Sequence, residues 1–224
     1  MPSVFKNLAR LRRGPVLHPD GRTFTAEVEL TGLDELGLPR GRYDALVRLS
    51  KGGGTPGGYP DVLGLAIRLS LPSGGLCDVL LSSCGMGRLT RLLPWPALNW
   101  GSARYGTVMP YDVAGQRFWL VAIPAGPDAR NASTADLPAE APRAFTLRLA
   151  GISCEWIAVG ELVLGEAVTT EAELVFDPMV NHPPAATLSP RWLRTIRERA
   201  YRGSRRGRPG PTDLNTLPTR TVRG

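Results

Sequence analysis

Apolar and polar residues alternate along most of this chain. In Thr23-Phe24-Thr25-Ala26-Glu27-Val28-Glu29-Leu30 the apolar positions recur at every second residue, as in a strand with one buried face. Tyr43–Leu49 and Asp61–Leu71 read as a second and third strand, the former running into Val47-Arg48-Leu49-Ser50. Cys77–Ser83 is a fourth, nearly continuous in apolar residues and so expected to lie centrally in a sheet. Further strands are predicted over 105–109, 116–124, 143–150, 155–164 and 169–176. Gly32–Arg42 reads as a loop, and Ala125–Pro142, rich in Ala, Asp, Asn and Pro, as an exposed one. Gly85–Arg104 is mixed, with a short helix broken at Pro94 and Pro96.

Helical spacing belongs to the two ends. Residues 3–13 carry Phe5, Leu8 and Leu11 at roughly helical intervals before Gly14-Pro15. Near the other end Ser189-Pro190 is a good helix start, followed by about three turns without Gly or Pro up to Gly203. Strands in meander order followed by one helix predict a mainly β (β+α) fold, an antiparallel barrel closed by a C-terminal helix. The expected organisation is a basic N-terminal helix over 1–14, the barrel with its helix over 15–203, and a basic, disordered tail over 204–224.

Composition agrees with many short strands and tight turns. Of 224 residues 26 are Gly and 21 are Pro, with an ordinary 42% hydrophobic content. No apolar run approaches a membrane span and no secretory apolar region follows Met1, so a cytoplasmic chain is expected. The cysteines Cys77, Cys84 and Cys154 have no zinc-site spacing and read as reduced thiols. The net charge of +7 gathers toward Lys6–Arg13 and Arg191–Arg208. Such ends suit an anionic cofactor, an anionic membrane or nucleic acid. Aromatic residues are only 7% and do not interleave with the basic clusters, which disfavours nucleic acid. The glycine-rich stretch from Lys51 to Tyr59 lacks the terminal Gly-Lys-Ser/Thr of a phosphate loop. No Gly-x-Ser-x-Gly elbow is present, and two histidines give a two-metal hydrolase little to stand on.

The candidate chemistry starts from Arg197 and Tyr201, four apart and therefore neighbours on one helical face. A guanidinium beside a phenol favours the phenolate, and tyrosinate is a hard ligand able to hold haem iron. An amphipathic basic helix whose Tyr merely packs is the alternative.

Upstream stretches resemble the haem catalases, in order. His18-Pro19-Asp20-Gly21 is similar to the His-x-x-Gly with which their barrel begins. Val47-Arg48-Leu49-Ser50 and Pro60–Arg68 resemble their Val-Arg-Phe-Ser and Asp-Pro-x-Gly-x-Ala-x-Arg/Lys runs. Asp78-Val79-Leu80-Leu81-Ser82 looks like their Asp-Leu-x-x-Asn strand. Arg197-xxx-Tyr201 is similar to the proximal helix of the small catalase-related proteins, and Phe176-Asp177-Pro178 stands where those proteins carry such a tripeptide.

The resemblance implies haem b in a catalase-like barrel. Tyr201 would be its axial ligand and Arg197 the residue that keeps Tyr201 deprotonated. His18 would be the distal acid–base, Ser50 would fix its tautomer, and Arg48 would meet a propionate. It implies an oxidoreductase acting on hydrogen peroxide or organic hydroperoxides, with an organic co-substrate as a further partner. The distal asparagine of the family falls on Ser82, a shorter group that both donates and accepts, which shifts the expectation from peroxide disproportionation toward peroxidase or peroxygenase chemistry. A non-catalytic haem-binding protein is the first alternative, and a basic membrane- or nucleic-acid-binding barrel without haem the second. Homo-oligomerisation and association with an anionic membrane are compatible with all of these.

Overall fold

The structure is a computed structural model and describes residues 20–126, 131–168 and 174–188. Four long strands come first: β1 Asp20–Leu30, β2 Gly41–Lys51, β3 Leu63–Ser70 and β4 Leu76–Ser83. They are followed by β5 Tyr105–Gly106, β6 Tyr111–Val113 and β7 Gln116–Ala125. After a one-turn helix, α1 Leu137–Glu140, come β8 Ala144–Ala150, β9 Ile157–Ala167 and β10 Thr187–Leu188. The antiparallel order β7-β5-β4-β3-β2-β1-β9-β8 closes on itself through a β7–β8 pairing, giving an eight-stranded barrel. β6 and β10 extend it from the side of β7.

The period-two pattern decides which side chains fill the barrel. Leu49, Leu65 and Leu81 are cross-strand partners on β2, β3 and β4, and all are buried on the inner face. Val47, Ile67 and Val79 form the next inner row. One mouth is stoppered by Leu33, Leu36 and Leu38 around a 3-10 turn at Asp34–Leu36. Among the described residues the barrel holds an apolar void of about 20 Å³ lined by residues such as Val28, Leu30 and Leu147. It is too small and too apolar for a ligand or a well-bonded water. At the other end Lys51 Nζ donates to the carbonyls of Gly57 (3.0 Å) and Tyr59 (2.9 Å), folding the glycine-rich loop over the β2–β3 hairpin. Among the described residues the inside of the barrel is filled by core, which leaves the outer face of the sheet as the place for a site.

Most of the predicted strands are found, with corrections. The stretch 105–109 keeps only Tyr105–Gly106 in the sheet, because Val108 turns the backbone into the left-handed region (φ 54°). The predicted exposed loop Ala125–Pro142 contains α1, and its Ala132 and Leu137 are fully buried. Gly85–Arg104 holds a 3-10 turn at Thr90–Leu92 that ends before Pro94. Of 169–176, residues 174–176 are irregular. There the Val175 carbonyl accepts from Arg68 Nη2 (2.7 Å) in place of a ladder partner. The terminal helices, the domain boundaries near 14 and 203, and the tail lie outside the described residues.

Candidate functional site

Parity along the strands builds the site. Because Leu49, Leu65 and Leu81 face inward, their neighbours Ser50, Gly64 and Ser82 face outward, and Gly64 is the direct cross-strand partner of both serines. The same row continues to Gly21 on β1, opposite Ser50, and to Gly106 on β5, opposite Ser82. Five adjacent strands thus present Gly-Ser-Gly-Ser-Gly. The adjacent outer row carries Arg48, Ala66 and Leu80, set off by about 7 Å along the strands. The serine row has no side chain longer than a serine, and Ser50 and Gly64 within it are buried; hydroxyls with one guanidinium nearby suit a ligand that has an anionic edge.

The glycines at its margins are tight. A Cβ on Gly21 would fall 2.8 Å from Arg48 Cζ, 2.9 Å from Ser50 Cβ and 2.5 Å from the Leu49 carbonyl oxygen. Gly21 therefore packs the start of β1 directly under Arg48 and Ser50, joining two motifs that are far apart in sequence. A Cβ on Gly106 would fall 2.5 Å from Cys84 Sγ. Burial pushes the Cys84 thiol up to about 11, against a smaller opposing effect from its hydrogen bond with Gly106. Cys84 is thus a protonated wall residue at neutral pH and not a nucleophile. Cys77 faces the interior, so the two thiols are on opposite sides of the sheet, and all three cysteines are free.

Two buried ionic groups frame this wall. On the loop side, burial pushes the Asp61 carboxyl up, but donors from Thr55 and Gly53 outweigh it and hold the group below its ordinary range. Lys51, 1% exposed, is lowered by burial, with Asp61 and Asp20 acting the other way. Farther along β3 and β4, Arg68 Nε and Nη2 donate to the two oxygens of Asp78, both at 2.7 Å. Asp78 is fully buried and also accepts from Asp177 N (2.7 Å) and Asn181 Nδ2 (2.9 Å). The Arg68 guanidinium lies 5.0 Å from the Phe176 ring centroid. The Phe176-Asp177-Pro178 segment is thereby clamped to the outer wall at Asp78, four residues along β4 from Ser82. This cover is why Asp78, on the outer face of β4, is as buried as the residues inside the barrel.

No protein-family model matches the chain, and no curated protein matches it in sequence. Among solved structures, the crystal structure of a fungal catalase superposes with a TM-score of 0.64 at 14% identity, over 92% of this chain and 62% of that one. Catalase A from Saccharomyces cerevisiae superposes with a TM-score of 0.57 at 12% identity, over 92% and 63%. The barrel is catalase-like. At these identities the likeness establishes the fold alone, and the chain spans less than two thirds of the length of each catalase.

On this catalase-like barrel, three of the six residues singled out in the sequence are described, and they share one face. Ser50 and Ser82 flank Gly64, and Arg48 stands in the adjacent row. His18, Arg197 and Tyr201 lie outside the described residues. Ser83, beside Ser82, is structural: its Oγ accepts from Leu63 N (2.9 Å) and donates to the Trp95 carbonyl (2.6 Å). Among the described residues no cluster of three or more His, Cys, Asp or Glu side chains could hold a bare metal ion. The sequence reading missed Gly64 as the middle of the row and Gly106 as its margin. The available signal was glycine inside a strand, which marks close approach of another group.

Proposed function

We propose that this protein binds haem b against the Gly-Ser-Gly-Ser-Gly wall through Tyr201 and is an oxidoreductase acting on peroxides, organic hydroperoxides above all. The observation that supports this most is the row in which Gly64 separates Ser50 from Ser82, beside Arg48, on the outside of a catalase-like barrel. The described residues fit the cofactor: a guanidinium for a propionate, glycine and alanine backbone for a flat ring, and no long side chain in the row. Held by Tyr201 and Arg48, haem would supply an iron centre able to cleave a peroxide O–O bond, and the anionic Tyr201 phenolate would assist that cleavage.

In this reading the chain's own groups divide the work. Arg197 lowers the cost of the Tyr201 phenolate by placing a fixed positive charge near it. His18 is the neutral base that takes a proton from the near peroxide oxygen and returns it to the far one. β1 begins two residues after His18, and Gly21 on that strand pairs with Ser50. As the resemblance implies, Ser50 is the hydroxyl for the second imidazole nitrogen, holding the tautomer, and the pairing of Gly21 with Ser50 supports that reading. Ser82 offers a short hydroxyl to the bound peroxide where a longer carboxamide would reach farther, leaving room for an organic substituent.

The deciding experiment is hemin titration of purified wild type and Tyr201→Phe, followed by absorption. A ferric tyrosinate-type spectrum at stoichiometric haem that disappears in Tyr201→Phe supports the assignment. Peroxide turnover that then falls in His18→Ala identifies an enzyme; tight haem binding without turnover identifies a haem carrier or sensor. Absence of stoichiometric uptake by wild type, or an unchanged spectrum in Tyr201→Phe, removes the proposal.

A further inference from the structure

The segment joining β4 to β5 has an inverted polarity. Its arginine at 91 is 4% exposed, stacks 3.7 Å from the Trp119 ring centroid and donates through Nη1 to the Gly151 carbonyl at 2.9 Å. Its apolar residues point outward instead: Leu89 is 78% exposed, Leu92 41%, Leu93 61%, Trp95 69% and Leu98 69%. These side chains are not displaced from an unfinished core, because the segment beneath them is tied down at several points. Trp95 N donates to the Ser83 carbonyl (2.7 Å) while Ser83 Oγ donates back to the Trp95 carbonyl (2.6 Å). The Met86 carbonyl accepts from Cys154 Sγ (3.1 Å) and Trp156 Nε1 (2.9 Å) on the β8–β9 turn. An apolar cluster held outward on a fixed frame marks a contact surface.

Charge selects the occupant. No Asp or Glu occurs between Asp78 and Asp112, whereas Arg88 and Arg104 flank the cluster and the whole chain carries +7. Arg88 is exposed and has no ion-pair partner among the described residues. Pairing this patch with a second copy of itself would bring two such cationic rims together with no acid in either segment to neutralise them. An anionic lipid surface satisfies both parts: headgroups meet the arginines, and the interfacial region takes leucine and tryptophan side chains.

We propose that residues 87–98 form a lipid-docking loop. Leu89, Leu93 and Trp95 enter the interfacial layer of an anionic membrane while Arg88 stays at the headgroups. The surface alone carries this inference, independently of haem.

Flotation of the full chain with phosphatidylcholine vesicles, with and without phosphatidylglycerol, tests it. Wild type should float with the anionic vesicles, and the combined variant Leu89→Ser/Leu93→Ser/Trp95→Ser should bind them at least about tenfold more weakly. All three positions are exposed, so the thermal midpoint should not move, and Arg88→Glu should weaken binding by a smaller factor. Three results would overturn the proposal: no binding by wild type, equal binding by the triple variant, or a wild-type dimer that the triple variant dissolves without any lipid binding. Neither hemin nor peroxide enters the assay, so its failure is separable from failure of the haem reading.

Discussion

Ser50 and Ser82 stand on the outer wall of the barrel with Gly64 directly between them, each its cross-strand partner. Neighbouring strands lie about 5 Å apart, so the two hydroxyl-bearing backbones are separated by roughly 10 Å, and Gly64 contributes no side chain between them. Gly64→Val puts a branched side chain into that gap at a position where a β-branched residue is at home in a strand. Hemin affinity should fall by about tenfold or more, measured by absorption titration on protein whose far-UV circular dichroism confirms the fold, and because Gly64 is buried the thermal midpoint should fall as well. Unaltered hemin binding would move the site off this wall.

Ser82→Asn restores the longer carboxamide at the position from which peroxide would be approached. If the haem reading holds, the haem-loaded variant should break down hydrogen peroxide faster than wild type, by about tenfold. It should also lose activity toward bulky organic hydroperoxides. The two rates, measured on one preparation, give a ratio that should shift in favour of hydrogen peroxide. A ratio that stays fixed would deny Ser82 any part in substrate choice.

Asp78→Asn is expected to be severe. It leaves Arg68 buried beside an amide in place of a carboxylate and weakens the donors from Asp177 and Asn181 together. Breaking one side of a buried pair costs about 3–5 kcal/mol, readable from denaturant midpoints. Replacing both partners, as Arg68→Met with Asp78→Leu, should cost less than the single change, since no unpaired charge remains.

Alkali should destabilise the barrel through its interior thiol. Burial pushes Cys77, with some help from Asp78, up to about 12 from an ordinary 9.0. A group whose folded value is raised contributes its stability below the unfolded value and loses it as pH climbs through the interval, here from about 9 toward 12. Between about pH 8 and pH 10.5 this thiol should remove on the order of 2 kcal/mol. Tyr105, fully buried with its hydroxyl on the Trp100 carbonyl, shifts in the same direction. Urea midpoints across this range should fall less steeply for Cys77→Ala than for wild type.

The sequence is readable where a strand is long enough to show its period. The alternation from Thr23 to Leu30 and the runs at 43–49, 61–71 and 77–83 correspond to β1 through β4 within a few residues. β5, β6 and β10 have two or three residues each, too few for a period to register. The site was half readable. Ser50 and Ser82 emerge singly by resemblance, but their shared partner Gly64 depends on cross-strand register, which pairing geometry sets and local composition does not. Cover on the outer face was hidden as well. The Arg68–Asp78 pair looks like surface charge until Phe176 and Asp177 arrive from about a hundred residues away.

That separation imposes an order in time. The hairpins β1–β2, β2–β3 and β3–β4 link near neighbours and can pair as the chain emerges, whereas Asp78 reaches Asp177 and Asn181 across 99 and 103 residues. Contacts of such long range close late, because the entropy of joining distant points must be met before the contact contributes. Until then Asp78 is a charged group on an uncovered strand. By this ordering the β2–β4 wall with the two serines pairs before its cover arrives, and the β1–β9 pairing that closes the barrel, which joins Leu30 to Gly160, belongs to the same late group as that cover.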